Sequence, residues 1–256
     1  TKVAFAMSNK TVIVTGGTRG LGRVISERFA ALGASVVTIG RHPPEVGISG
    51  SVFVAADVRD PEQISTAVEE TVSRFSTIDV LVNNAGGAPH ALVAETSANF
   101  SDKIISLNLL APLNFSKTVN EIMQTQGSGG TIVNIGSVSG TRSSPGTAAY
   151  GAAKAGLSNL TQSLAVEWAP KVRVNCVVAG PILTEQASLH FGDDDGIAAV
   201  GNTIGLGRLA FPSDIAEAVL WLASPLASYV SGANLLVHGG GERPIWMAAS
   251  NAPGID

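Results

Sequence analysis

The chain has 256 residues, 45% of them apolar and 14% charged, with 29 glycines; this suits one large, well-buried α/β core and excludes a disordered tail or a fibre. A formal net charge of −4 without any cluster of Lys and Arg excludes nucleic acid as the main partner, and the single cysteine, Cys176, excludes an internal disulfide. No apolar run reaches the length of a membrane span and Thr1 to Lys10 is too weakly apolar for a signal peptide, so no membrane association and a cytoplasmic location are expected.

Residues 1–9 read as an N-terminal extension. Lys10 to Thr15 is then a β-branched run ended by glycines, the pattern of a buried strand. Thr15-Gly16-Gly17-Thr18-Arg19-Gly20-Leu21-Gly22 follows, and after it a helical pattern with Leu21, Ile25, Phe29 and Leu32 on one face and Gly33 as its stop. Strand, glycine turn and helix in that order offer main-chain N–H groups and a helix N-terminus to a phosphate. The spacing is G-x-x-x-G-x-G rather than G-x-G-x-x-G, yet Gly16, Gly20 and Gly22 serve the same ends, a tight turn and close approach of pyrophosphate to main chain. Ser35 to Ile39 is the second strand, and its tip carries Gly40-Arg41 where NAD-specific folds place a carboxylate for the ribose hydroxyls. Arg41, with Arg19 in the glycine turn, can pair bidentately with a 2′-phosphate, so NADP(H) is preferred and NAD(H) is the alternative.

Ser51 to Ala55 is the third strand, ending at Asp57-Val58, and Asp60-Pro61-Glu62-Gln63 opens a helix whose buried stripe is Ile64, Val68 and Val72. The fourth strand, Ile78 to Val82, runs into Asn83-Asn84-Ala85-Gly86-Gly87. Small residues there line a ligand crevice in such a sheet, although a plain Asn/Gly turn reads the same way. One long helix is predicted from Ser97 to Gln124. Pro112 lies inside it and has no N–H for the carbonyl four residues earlier, so the Asn108 main-chain oxygen is freed, as a mere kink or as a seat for water.

The fifth strand, Thr131 to Ile135, delivers Ser137 to a Gly/Ser/Pro-rich loop. An alanine-rich helix, predicted from Pro145-Gly146 to a stop at Pro170, carries Tyr150 and Lys154. Positions i and i+4 share a helix face. A neighbouring ammonium favours phenolate, which predicts a Tyr150 pKa lowered towards neutrality, and the Ser137 hydroxyl can donate to a substrate oxygen as that oxygen gains charge. The sixth strand, Val172 to Val178, holds Cys176 as a buried, inert thiol. Residues 185–209 lack a strong period and carry Gly192-Asp193-Asp194-Asp195-Gly196; they read as a lid over substrate or as a surface loop. Pro212 to Ala223 is the last helix and Asn234 to His238 the last strand; the tail, 242–256, has no placement. Alternation of strand and helix predicts one domain over residues 10–241: α/β, Rossmann-like and doubly wound, with a mostly parallel seven-stranded sheet and helices on both faces.

The Thr15 to Gly22 turn, Asp57, Asn83-Asn84-Ala85-Gly86, Asn108, Ser137, Tyr150 with Lys154, and Asn175 leading to Gly180 and Thr184 together resemble the short-chain dehydrogenase/reductase family over Lys10 to Gly241. The resemblance implies a catalytic tetrad. Tyr150 would be the acid/base, Ser137 would polarise the substrate oxygen, Lys154 would lower the tyrosine pKa and hold the nicotinamide ribose, and the Asn108 main-chain oxygen would anchor a proton-relaying water. It also implies a dinucleotide lying along Gly16, Thr18, Arg19, Gly20, Leu21 and Gly22, with adenine near Asp57 and Val58 and with ribose and nicotinamide near Asn84, Ala85 and Gly86. The carboxamide would lie near Ile182 and Thr184, beyond Gly180. Two departures stand out: Ala179-Gly180-Pro181 where proline before glycine is usual, and His238 where an acid is common.

The expected activity is an NADP(H)-dependent oxidoreductase moving hydride between the nicotinamide and a small-molecule carbonyl or secondary alcohol, in a homotetramer and without a metal. The alternatives are an NAD-dependent alcohol dehydrogenase and a non-catalytic dinucleotide-sensing protein on the same fold. The wall segments Gly87 to Leu92, Val138 to Ser144 and Ile182 to Leu209 are mostly small and apolar, which suits a ketone, an oxoacyl thioester or a secondary alcohol. Asp193 to Asp195 disfavour a polyanionic carrier, and Arg142 is a candidate for an acidic substrate.

Overall fold

In the computed structural model residues 7–249 are described. Thr1 to Ala6 of the expected extension, and the tail beyond Ala249, lie outside the described residues.

Seven parallel strands form one sheet: β1 (Thr11–Thr15), β2 (Ser35–Gly40), β3 (Ser51–Ala55), β4 (Val80–Asn83), β5 (Gly130–Ser137), β6 (Val172–Ala179) and β7 (Asn234–Val237), in the order β3-β2-β1-β4-β5-β6-β7. The chain winds outward from β1 to β3 and then crosses back to β4 on the other side of β1. The crossovers therefore diverge between β1 and β4, and a crevice opens at the carboxyl ends of these two strands.

Alternation along each strand feeds two core layers. On β1, Val12 and Val14 point to a layer made with α1 (Gly20–Ala31) and α8 (Pro212–Ala223), where Ile25, Phe29, Ile215 and Val219 are fully buried. Ile13 points the other way, to a layer with α2 (Pro61–Phe75), α4 (Ala111–Thr125) and α5 (Ala148–Glu167), centred on Ile64, Phe115, Val119 and Met123. Burial of each such side chain contributes about 1.5–3 kcal/mol, which holds the strand tips in fixed register. The longest ladder, β5 with β6, brings Ser137 level with Ala179 at the rim of the crevice.

The helix predicted over 97–124 is three pieces: α3 (Ala98–Ile105), a π turn (Ser106–Leu110) and α4. Pro112 is the second residue of α4, inside the first turn, where a missing N–H costs nothing. The Ala111 N–H instead reaches the Ser106 carbonyl, five residues back, and the extra residue in that turn aims Asn108 into the interior with no exposed surface. Helix α5 starts at Ala148 rather than at Pro145-Gly146, because Gly146 takes φ +75°, which no right-handed helix contains.

Residues 185–209 are neither a bare loop nor featureless. They hold α6 (Ser188–Phe191) and α7 (Asp194–Thr203). Asp193 caps α7 by accepting from the Gly196 N–H at 3.1 Å, and Asp194 and Asp195 lie in its first turn, where a helix dipole favours acids. The aspartate cluster is thus a helix start, and its three side chains stay exposed. The tail is placed as far as α9 (Ile245–Ala249) and is joined to the end of α7 by the Arg243 N–H donating to Thr203 O.

Candidate active site

The glycine turn between β1 and α1 is shaped by sterics. Gly16 and Gly20 adopt φ +63° and +53°, a region that suits glycine, and a side chain at Gly22 would strike the Gly16 carbonyl and the Asn84 amide. Asn84 is itself fixed: its Nδ2 donates to Thr15 O at 2.9 Å, and the N–H groups of Asn84 and Ala85 both donate to Thr15 Oγ1 at 3.0 Å. The tips of β1 and β4 are therefore stitched together as the crevice floor. Behind them runs a buried chain in which Asn83 Nδ2 donates to Asn134 Oδ1 and Ser116 Oγ, both at 2.8 Å, and Asn134 Nδ2 donates to Thr161 Oγ1 at 2.9 Å.

At the adenosine end expected from sequence, Thr18 packs against the tip of β2 at Gly40, so the exposed Arg19 and Arg41 border the same opening. Among the described residues neither makes an ion pair, whereas Arg23, Arg28, Arg59, Arg74, Arg142 and Arg208 all do. Asp57 is held down to about 2, first by its bond with Arg59 and further by the Arg41 charge, against the opposing effect of its partial burial. Beside it, Asp57, Arg59, Gln63, Lys103 and Ser106 border an open hollow of about 280 Å³; Val58 is buried beneath.

Ser137, Tyr150 and Lys154 come together. Gly140 and Gly151 let the loop after β5 lie directly on α5: a side-chain carbon at Gly140 would sit 2.6 Å from the Ala155 nitrogen, and one at Gly151 would sit 2.7 Å from the Ser139 carbonyl. That contact sets the Ser137 hydroxyl against the Tyr150 phenol and draws the phenol pKa down, while burial, the larger effect, pushes it above its ordinary value. The expected lowering of Tyr150 by Lys154 is not found. The ammonium is 5.6 Å from the tyrosine ring centre, but it donates to Ile135 O at 2.7 Å, because a nearly fully buried cation takes the nearest strong acceptor. Burial lowers Lys154 itself to about 8, and burial pushes the neighbouring Cys176 thiol up to about 11, in keeping with an inert core cysteine.

Asn108 joins this group through its side chain. Its Nδ2 donates to Gly87 O and Ile104 O, each at 2.9 Å, and its Oδ1 accepts from the Gly87 N–H at 2.9 Å. A side chain at Gly86 would come within 2.7 Å of Asn108 Oδ1 and 3.3 Å of Lys154 Nζ, so the loop after β4 passes directly over both.

The third wall leaves β6. The Gly180 N–H donates to Val237 O at 3.0 Å, and Pro181 O accepts from the Ala210 N–H at 2.9 Å, so the inverted Gly-Pro order still gives a hydrogen-bonded exit. Ile182 bridges to Ala210, and Thr184 Oγ1 takes a long bond from the Gln186 N–H. Arg142 is not free for an acidic substrate, since it is ion-paired with Glu242; His238 lies near that carboxylate and helps to keep it ionised. Next to Tyr150, Pro89, Ala91, Val93, Phe100, Ile104 and Ala149 form a small apolar hollow. Phe100 and Ile104 are wall residues supplied by α3.

Sequence reasoning did not single out Glu185, whose Oε1 accepts from the Gly20 N–H at 2.8 Å. The signal was faint: an acid directly after Thr184, with 165 residues separating it from its donor.

Comparison with known proteins agrees with this geometry. A family model described as enoyl-(acyl carrier protein) reductase matches residues 16–242. A 3-oxoacyl-(acyl-carrier-protein) reductase of Chlamydia trachomatis is 36% identical over 244 residues, covering 91% of this chain and 97% of that protein. The L-fucose dehydrogenase of Mus musculus is 36% identical over 256 residues, covering 96% and 93%. The ligand-free structure of Thermoplasma acidophilum aldohexose dehydrogenase superposes with a TM-score of 0.87 at 32% identity, covering 91% of this chain and 94% of that one. With a parallel sheet that switches direction at the glycine turn and a family match that runs nearly end to end, the chain belongs to the short-chain dehydrogenase/reductase family of oxidoreductases.

Proposed function

We propose that the chain is an NADP(H)-dependent oxidoreductase interconverting a carbonyl and a secondary alcohol, with Tyr150 as acid/base. The observation that carries this reading is the convergence of the Ser137 hydroxyl from β5 with the Tyr150 phenol and the buried Lys154 ammonium from α5. The residues present suit a dinucleotide: the turn at Gly16, Gly20 and Gly22 already holds a carboxylate on a helix N-terminal N–H. The unpaired Arg19 and Arg41 suit a 2′-phosphate, the hollow beside Asp57 suits an adenine, and Ile182 and Thr184, on the exit from β6, are the proposed neighbours of the carboxamide.

When bound, the cofactor supplies or accepts the hydride. The chain manages the proton. In reduction the Ser137 hydroxyl donates to the substrate oxygen as charge builds there, and Tyr150, kept protonated at neutral pH by its raised pKa, transfers its proton to that oxygen. Lys154 still bears its charge at neutral pH and, 5.6 Å from the tyrosine ring centre, would hold the nicotinamide ribose when the cofactor is bound. Asn108 clamps Gly87 so that the main chain stays over Lys154, and its own main-chain oxygen is the proposed anchor for the water that returns the proton. The apolar hollow beside Tyr150 favours a substrate with an apolar body next to its carbonyl. A homotetramer follows from the family resemblance.

Tyr150→Phe tests the assignment. NADPH oxidation against a panel of ketones should slow by about 10²–10⁴-fold while NADPH affinity stays nearly the same. Unchanged turnover would end it. Arg41→Ala should weaken NADPH and spare NADH; equal NADPH affinity would remove Arg41 from the 2′-phosphate site.

A further inference from the structure

We infer that Glu185 is a built-in competitor for the cofactor, a carboxylate resting on the main-chain donor that a dinucleotide phosphate would take, so that cofactor binding releases the near end of the segment over the substrate. The inference rests on the dinucleotide reading above and adds to it a residue that sets cofactor affinity and couples it to the lid.

Helices α2, α3 and α7 are each capped by the side chain just before them, Asp60, Ser97 and Asp193. Helix α1 is not. Arg19 makes no capping bond and the first turn has no acid, which leaves the first N–H groups to outside partners. Oε1 of Glu185 takes the Gly20 N–H at 2.8 Å, and the two Glu185 carboxylate oxygens are the atoms found within 4 Å of the space in front of Gly20. A carboxylate oxygen on that donor, at the positive end of a helix dipole, makes the bond a phosphate oxygen would make there, and one donor serves one of them.

The hold is built to yield. Glu185 is exposed and makes no ion pair with Arg19 or Arg41, so the contact is a single charge-assisted hydrogen bond. A diphosphate carries more charge than one carboxylate, and NADP(H) is held in addition by Arg19 and Arg41 at its 2′-phosphate. At its far end the same segment is joined to the chain after β7 by main-chain bonds: Gly205 N–H to Gly241 O, Leu206 N–H to Gly239 O and Arg243 N–H to Thr203 O, at 2.8–3.1 Å. Loss of the Glu185 contact therefore removes the bond that ties the start of the segment to α1, while the far end stays anchored.

The test compares parent, Glu185→Gln and Glu185→Ala proteins by NADPH titration, by titration with adenosine 2′-monophosphate, which lacks the diphosphate, and by amide hydrogen exchange without nucleotide. In Glu185→Ala the NADPH Kd should fall about two- to tenfold, as expected when a competing state is removed. Glu185→Gln should show less of this, since its amide oxygen still accepts. Adenosine 2′-monophosphate should bind all three equally, and exchange over 186–192 should quicken in Glu185→Ala. Equal or weaker NADPH binding by Glu185→Ala, an equal gain for adenosine 2′-monophosphate, or unaltered exchange would overturn the inference. If no protein of the three binds NADPH or NADH, the dinucleotide reading itself falls, and the exchange result still decides whether Glu185 holds the segment.

Discussion

The two sides of the crevice are built on different terms. The side formed by β1, β4 and β5 is over-determined: Asn84 on Thr15, Asn83 on Asn134, Asn108 on Gly87 and Lys154 on Ile135 each join buried or partly buried polar groups across different elements. The side that follows β6 is held by main-chain bonds where it leaves β6 and again at its far end, but only one exposed carboxylate ties it to α1, and Leu183, Leu189, Leu206 and Phe211 along it are exposed. On the function proposed above, the first side holds a proton donor to a fraction of an ångström and the second is a cover that opens. The division between the two sides follows those two tasks.

Substitutions on the fixed side should be felt by the whole molecule. Asn108→Ala would leave the Gly87 N–H and carbonyl without their partner and should lower stability by about 2–5 kcal/mol, read as a fall in the denaturant midpoint. A midpoint within experimental error of the parent would mean that water replaces the amide and that the fixed side is less determined than it looks. Lys154→Met sharpens the comparison by separating stability from function. The folded Lys154 pKa of about 8 lies below the ordinary 10.5, so the unfolded chain binds more protons between those values, and stability rises with pH across that window. Below pH 8 the buried ammonium costs about 2–3 kcal/mol; the methionine variant should therefore melt higher than the parent at pH 7 and lose that advantage by pH 10.5, while its turnover collapses. A variant that melts lower at pH 7 would contradict this.

On the other side effects should stay local. Asp193→Ala removes the cap of α7 and should cost about 1 kcal/mol of local stability, visible as faster amide exchange in 194–203 with little shift of the global midpoint. Leu189→Ser, at a side chain 75% exposed, should change the midpoint by less than about 0.5 kcal/mol. A global loss from either would show that the cover is part of the fixed core.

The sheet and its crevice were legible in the sequence because β-branched runs, glycine stops and helix caps are local signals, and because Tyr150 and Lys154 are brought together by helix geometry alone. What escaped depends on distant partners. The π turn at 106–110 was hidden because Pro112 signals a break without saying where the extra residue goes, so the Asn108 side-chain clamp on Gly87 could not be read. The direction of the Tyr150 shift was misjudged because spacing reports nearness to Lys154 and says nothing about burial or about the Ile135 carbonyl that claims the ammonium. The three aspartates at 193–195 were read only for their charge, and their part in starting α7 was missed. Arg142 looked available and is paired with Glu242.

The structure of the chain with NADP⁺ bound tests the central claim most directly. The account predicts a dinucleotide lying from Arg41 across the Gly16–Gly22 turn to Tyr150 and Lys154, with the Glu185 carboxylate moved off the Gly20 N–H. A nucleotide seated elsewhere, or one whose ring lies away from Tyr150 and Ser137, would contradict it.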